Sequence, residues 1–190
     1  MRFIIPIILI LASSVYGDSE TLDPDSVSTP DQWANVGGAN KVESVSDNVD
    51  DNYIDETTQG EKQRFTVENA GDIGPGDIID SIVIHSRMKT PSGPGAEARV
   101  NHVVDSIAYG TTRALQGTYT NYSDTYSMNP EGGGWTLSDI DNLKVEADAV
   151  TIPILKRAFC TKIYVVVYYT PAAPAYYKRR IYQQSMLTGD

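Results

Sequence analysis

The chain has 190 residues, of which 41% are hydrophobic, enough for one domain with its own apolar core. Acidic residues outnumber basic ones by 25 to 15, and the formal net charge of −10 argues against partners that are nucleic acids or anionic membranes. Cys160 is the single cysteine, which excludes an intrachain disulfide, so the core must hold the fold by itself.

Residues 1–17 have the order of a secretory signal peptide: a basic start at Arg2, an apolar run, and small residues before Gly17. The apolar run is shorter than the roughly 20 residues that span a bilayer. We therefore expect cleavage after Gly17 and a secreted protein at an extracellular surface or in a virion, with no transmembrane segment. The alternative is that the segment is retained as an anchor or assembly strand. Residues 18–31 are mostly polar and are interpreted as an extended lead-in.

From Trp33 onward, short alternating segments separated by Gly, Pro, Asn and Asp are typical of an all-β sandwich or barrel. A short helical turn is expected after Trp135, with Ser138 or Asp139 as its cap. The last strand is apolar on both faces, which places it in the middle of a sheet. Strands are predicted over residues 41–45, 52–56, 64–67, 78–88, 96–104, 117–127, 143–149 and 158–169.

These elements predict an all-β domain over residues 32–171, a two-sheet antiparallel jelly-roll β-sandwich of about eight to ten strands. Residues 172–190 are interpreted as a C-terminal tail.

Three stretches carry a resemblance to known domains: the entry from Gln32 to Ile54, WTLSDIDNL from Trp135 to Leu143, and TKIYVVVYY from Thr161 to Tyr169. In this order they resemble jelly-roll domains of phage virion proteins and exported prokaryotic surface proteins. Those domains are similar in shape to carbohydrate-binding modules and concanavalin-like lectins. The resemblance implies a surface or particle location and an adhesive or structural role, and it transfers no catalytic residue.

Enzyme motifs are scarce. The sequence contains neither a His-Glu-x-x-His motif nor a Gly-x-Ser-x-Gly elbow. Glu146 and Asp148 alternate as the carboxylates of concanavalin-like glucanases do, but Val150 stands where a third carboxylate is needed. His85 and His102 are interpreted as structural residues. The protein is therefore predicted not to be an enzyme, with a glycoside hydrolase as the least favoured function.

An acidic run is the best candidate for a metal site. Asp47, Asp50 and Asp51, with Asp55 nearby, supply hard oxygen ligands of the kind that Ca²⁺ prefers. A solvated acidic turn without metal is the alternative.

Aromatic residues offer a candidate ligand surface. Tyr119, Tyr122, Tyr126 and Trp135 could form a platform on which a sugar ring stacks. Trp33 and Trp135, however, lie at strand entries where a sandwich commonly buries a large ring, and aromatics are frequent in strands for reasons of propensity alone.

The sequence thus favours an exported, non-catalytic structural or adhesive protein, a subunit of an extracellular filament, coat or virion appendage. Self-assembly, or binding to another surface or virion protein, would use the lead-in or the tail as an added strand. The alternative is a lectin-like module that binds glycans, either with Ca²⁺ as a cofactor or without it.

Overall fold

The computed structural model of the chain describes residues 17–47, 49–91, 95–104 and 106–172. The predicted signal peptide and the predicted tail therefore lie outside the described residues, except for Gly17 and Ala172. Within the described ranges, no helix has both the length and the apolar content needed to cross a membrane.

Twelve strands and two short helices form the described part of the chain. They are β1 (Asp18–Leu22), β2 (Pro24–Asp31), β3 (Ala34–Val36), α1 (Lys41–Ser46), β4 (Tyr53–Glu56), β5 (Lys62–Val67), β6 (Ile78–Lys89), β7 (Glu97–Val104), β8 (Ile107–Tyr109), β9 (Arg113–Ala114), β10 (Thr120–Tyr126), α2 (Leu137–Asp141), β11 (Lys144–Thr151) and β12 (Ala158–Thr170).

The strands form two antiparallel sheets. The first sheet has the order β10-β6-β12-β4-β3, with β1 also paired to β12. The second sheet has the order β2-β5-β11-β7-β8, with β9 also paired to β7. The prediction of an all-β fold with two antiparallel sheets is confirmed. The strand β12 is central, as expected, because it pairs with β6 on one side and with β4 and β1 on the other.

The core lies between the sheets and follows the two-residue alternation of the strands. Ile82 and Ile84 of β6 and Val165 of β12 point inward from the first sheet, and Val145 and Ala147 of β11 point inward from the second sheet. All five are almost fully buried.

Both tryptophans lie in this core, as the strand-entry argument indicates. Trp33 is 1% exposed and donates its indole N–H to the Glu61 carbonyl. Trp135 is 5% exposed and donates to the Tyr126 carbonyl.

The interpretation of residues 18–31 as a lead-in ahead of the domain needs correction. Asp18–Leu22 is an edge strand of the first sheet and Pro24–Asp31 is an edge strand of the second sheet. Leu22 enters the core and is 1% exposed. A single buried apolar side chain and a ladder of backbone hydrogen bonds hold β1, so its polar composition did not reveal a strand.

The prediction of a strand over residues 41–45 is wrong. This segment is the helix α1, and Asn40 caps it by accepting a hydrogen bond from the Glu43 backbone N–H. The Glu43 carboxylate accepts from the Ala39 N–H, one residue before the cap, and adds a second contact at the start of the helix. Val45 is fully buried.

Candidate functional site

The outer side of the first sheet carries a cluster of aromatic, amide and basic side chains. Tyr164 of β12 lies opposite His85 of β6, and Lys162 lies opposite Arg87. On the next strand, Asn121 of β10 lies opposite Arg87. Because paired residues in adjacent strands point to the same side of a sheet, these side chains stand in neighbouring rows. We call this surface the outer face.

A depression of about 310 Å³ lies on the outer face. Ring, amide, hydroxyl and charged side chains all contribute to its walls. The lining residues are Thr21, Asp23, His85, Ser86, Arg87, Asn121, Tyr122, Lys162 and Tyr164.

Two rings form an aromatic wall of the depression. His85 and Tyr164 are stacked, with ring centroids 4.5 Å apart and planes 7° from parallel. The Lys162 ammonium lies 5.3 Å from the Tyr164 ring centroid, within the range of a cation–π contact. Burial lowers the pKa of His85 below its usual value of 6.5, which favours the neutral imidazole.

Arg87 is held in place at the edge of this wall. Its Nε and one terminal nitrogen donate to the two carboxylate oxygens of Asp50 at 2.8 and 2.7 Å. Its other terminal nitrogen donates to the Asn121 amide oxygen at 3.3 Å. The hydrogen bond from Arg87 is the main cause that lowers the pKa of Asp50. The guanidinium is therefore fixed by a bidentate pair rather than free to swing.

A second group of rings surrounds Lys89, two residues further along β6. The Lys89 ammonium lies 4.0 Å from the Tyr119 ring centroid and 5.5 Å from that of Phe159. Phe159 in turn stacks on Tyr53 at 4.5 Å. The outer face thus continues past the depression as an aromatic surface with a cation over it.

The structure does not bring the predicted aromatic set together as one exposed platform. Trp135 is in the core, and Tyr122 and Tyr126 point toward the interior side of β10 and pack partly against the core. Burial raises the pKa of Tyr126 to about 12 and also raises the pKa of Tyr119. Of the four, Tyr122 lines the depression and Tyr119 belongs to the neighbouring ring group.

The carboxylates of the acidic run point to separate partners. Asp50 pairs with Arg87, and Asp55 is buried and pairs with Arg157 at 3.0 Å. Asp47 accepts a hydrogen bond from the Asn52 amide, and Asp51 is exposed. Among the described residues, no group of three or more His, Cys, Asp or Glu side chains is arranged to hold a metal. Calcium binding by this run stays a prediction, and this arrangement does not favour it.

Glu146 and Asp148 lie on the outer side of the second sheet beneath basic side chains. Glu146 is fully buried, and it accepts from Arg64 at 2.5 and 3.0 Å and lies 3.1 Å from the Lys62 ammonium. Asp148 accepts from Arg99 at 2.7 and 2.9 Å. Their own ion pairs therefore cover both carboxylates. A carboxylate held this way is poorly placed to attack a substrate.

Sequence reasoning missed most of the lining residues of the depression, above all Tyr164, Lys162, Arg87 and Thr21. A signal for two of them was available: Lys162 and Tyr164 are alternate positions on the non-core face of the most apolar strand. The neighbours that complete the depression come from β1, β6 and β10, and that pairing is not readable from local sequence.

Comparison with known proteins finds no matching family model and no matching curated protein sequence. Solved structures with a similar shape include the CBM36-1 domain of a multidomain xylanase from the hindgut metagenome of Trinervitermes trinervoides (13% identity, TM-score 0.42, covering 79% of this chain and 96% of that one). Another is the carbohydrate-binding module CBM6cm-2 from Cellvibrio mixtus lichenase 5A in complex with cellotriose (12%, TM-score 0.37, 78% and 95%).

A cyclase from Fischerella sp. TAU is also similar in shape (11% identity, TM-score 0.43, covering 83% of this chain and 90% of that one). The resemblance to carbohydrate-binding modules is thus confirmed as a likeness of shape. Because binding modules and a cyclase share that shape, and because the scores are low, no function is transferred to this chain.

Proposed function

We propose that this protein is a glycan-binding module whose site is the depression on the outer face of the first sheet. The observation that carries the proposal is the composition of that depression: a stacked pair of rings, His85 and Tyr164, surrounded by hydrogen-bonding groups of several kinds. A sugar presents an apolar C–H surface and a rim of hydroxyls, and this combination of an aromatic wall with polar groups matches both.

The polar groups have unused hydrogen-bonding capacity. Within the described part of the chain, the Thr21 hydroxyl and the Lys162 ammonium have no hydrogen-bond partner, and the Asn121 amide nitrogen has none either. Asp23 adds an acceptor. Sugar hydroxyls donate and accept hydrogen bonds, so a wall with both kinds of group can hold them.

Glycan recognition is the alternative interpretation of the sequence, and we prefer it to assembly of a filament or coat. The segment expected to join neighbouring subunits, residues 18–31, already supplies an edge strand to each sheet of its own chain. Self-assembly through the tail stays a prediction, since the tail lies outside the described residues. Export, and the absence of catalysis, also stay predictions.

The test is affinity gel electrophoresis of the wild-type chain through gels that contain a panel of polysaccharides. Wild-type protein is expected to be retarded by at least one polysaccharide, and Tyr164→Ala is expected to weaken that retardation about tenfold or more, equivalent to about 1.4 kcal/mol. Tyr109→Ala, which removes a tyrosine of the second sheet, is the matched control. Equal retardation of wild type and Tyr164→Ala would refute this site.

A further inference from the structure

We infer that the ligand of the outer face is an acidic glycan, a saccharide chain that carries anionic groups such as carboxylate or sulfate. This inference rests on the proposed glycan site and names its ligand class. The observation behind it is the cationic row, which we define as Lys89, Arg87 and Lys162. It lies across β6 and β12 beside the aromatic wall.

The cationic row concentrates positive charge on the surface of an acidic chain. The sequence has 15 basic residues against 25 acidic ones, yet three cations lie together here. Arg87 and Lys162 are directly opposite each other on paired strands. Like charges in that relation destabilise a sheet, and Asp50 relieves part of this repulsion by pairing with Arg87. An anion bound at Lys162 would relieve the rest.

Two of the three cations form no ion pair with the described residues. Asp50 neutralises Arg87. Among the described residues, no carboxylate lies within ion-pair distance of Lys89 or Lys162, and the contacts of these two ammonium groups are with aromatic rings. A ring face holds a cation in place without cancelling its charge. The Asp50 carboxylate also feels the charge of Lys89, so Lys162 is the cation most available to an anionic ligand.

The lining of the depression places these charges at different strands. Its nine residues include the carboxylate of Asp23, the Lys162 ammonium, and Arg87, whose charge Asp50 offsets. Asp23 reaches the depression from the segment after β1, and the cations reach it from β6 and β12. Sugar hydroxyls can hydrogen-bond to Asp23 while an anionic group of the same saccharide chain binds Lys162.

Paired polymers that differ in charge alone test the inference by isothermal titration calorimetry with the whole chain. One pair is polygalacturonate and the same polymer with its carboxyl groups reduced to alcohols. The other pair is dextran sulfate and dextran. We expect at least one anionic member to bind about tenfold or more tightly than its neutral counterpart, and we expect added salt to weaken that binding.

Each outcome has a distinct meaning. Equal binding to both members of a pair would overturn the acidic-glycan inference and leave the glycan site standing. Binding to none of these polymers would overturn the acidic-glycan inference, and the gel panel alone would then decide whether the glycan site stands. Preference for polygalacturonate alone assigns carboxylate as the anionic group, and preference for dextran sulfate alone assigns sulfate.

A matched pair of variants separates the site from general adsorption of polyanions. Lys162→Gln is expected to weaken binding of the anionic polymer about tenfold. Lys144→Gln, which removes a partly exposed lysine from the outer side of the second sheet, is expected to leave that binding unchanged. Equal losses in the two variants would show nonspecific attraction and overturn the inference. Thermal unfolding of both variants verifies that they are folded.

Discussion

His102 is a titratable side chain enclosed by aromatic rings. It is fully buried, it stacks on Tyr109 at 5.2 Å, and it meets the rings of Tyr126 and Trp135 edge-on at 4.2 and 5.6 Å. Neither ring nitrogen has a hydrogen-bond partner among the described residues. Burial lowers the pKa of His102 from 6.5 to about 4. Its role is packing, as the sequence suggests.

This burial predicts a dependence of stability on pH. The unfolded chain takes up a proton on His102 near pH 6.5, whereas the folded chain does not until about pH 4. The stabilisation is therefore complete above pH 6.5 and is lost as the pH falls toward 4. From pH 7.5 to 5.5, His102 should lower the free energy of unfolding by about 1.4 kcal/mol.

Urea unfolding at the two pH values measures the effect of His102. His102→Phe should reduce the loss between pH 7.5 and 5.5 by about that amount, while His85→Gln should keep the His102 contribution. An unchanged pH dependence in His102→Phe would show that this side chain is protonated in the folded state or is not buried.

Arg64 pairs with the buried carboxylate of Glu146, so replacing Arg64 should lower the free energy of unfolding. Arg64→Met leaves Glu146 fully buried with Lys62 as its remaining cation. Loss of one partner from a buried pair costs about 3 kcal/mol. Arg87→Met, in the exposed pair with Asp50, should cost about 1 kcal/mol or less. Urea unfolding of the two variants compares these losses, and equal losses would contradict the burial of Glu146.

At the scale of elements, the helix α2 begins with a reciprocal cap that the sequence indicates only in part. Thr136, not Ser138, is the N-cap: its hydroxyl accepts from the Asp139 N–H, and the Asp139 carboxylate accepts from the Thr136 N–H. The sequence suggested Ser138 or Asp139 as the cap. The helix therefore starts two residues earlier than the cap at Ser138 would require, and Asp139 completes the cap instead of forming it alone.

Thr136→Ala should therefore lower the free energy of unfolding by about 1 kcal/mol, because it leaves an N–H of the first turn without a partner. Ser138→Ala removes a neighbouring hydroxyl outside the cap and should change stability little. Thermal unfolding of the two variants measures the difference. A larger loss in Ser138→Ala would contradict this assignment of the cap.

The elements that the sequence predicted best are those with a strict two-residue alternation. In β6, Ile82, Ile84 and Met88 are all buried, because burial of one face repeats at every second residue from Ile82 onward. Nearer the start of the strand Ile79 is buried and Ile78 is 64% exposed, because the pairing register shifts opposite Tyr168 and Tyr169 and exchanges the two faces. The segments β1 and α1 are too short to establish a period, and their structure depends on contacts with distant residues.

At the scale of the whole molecule, two packed sheets could be predicted but the site could not. The site depends on which strands are neighbours: β1, β12, β6 and β10 bring Thr21, Tyr164, Arg87 and Asn121 to one surface. These positions are far apart in the sequence, and the register has an irregularity between Cys160 and Lys162. The local sequence pattern indicates neither the order of the strands nor this irregularity in the register.

The most direct test of the central claim is to map the bound glycan by NMR. ¹⁵N-labelled protein is titrated with the best-binding oligosaccharide, and the amide signals that move are assigned to residues. If the glycan binds at the outer face, the largest shifts should cluster at residues 21–23, 85–87, 121–122 and 162–164. The amide signals of β5 and β11 in the second sheet should change little. Shifts concentrated on the second sheet, or spread evenly over both sheets, would contradict the proposed site.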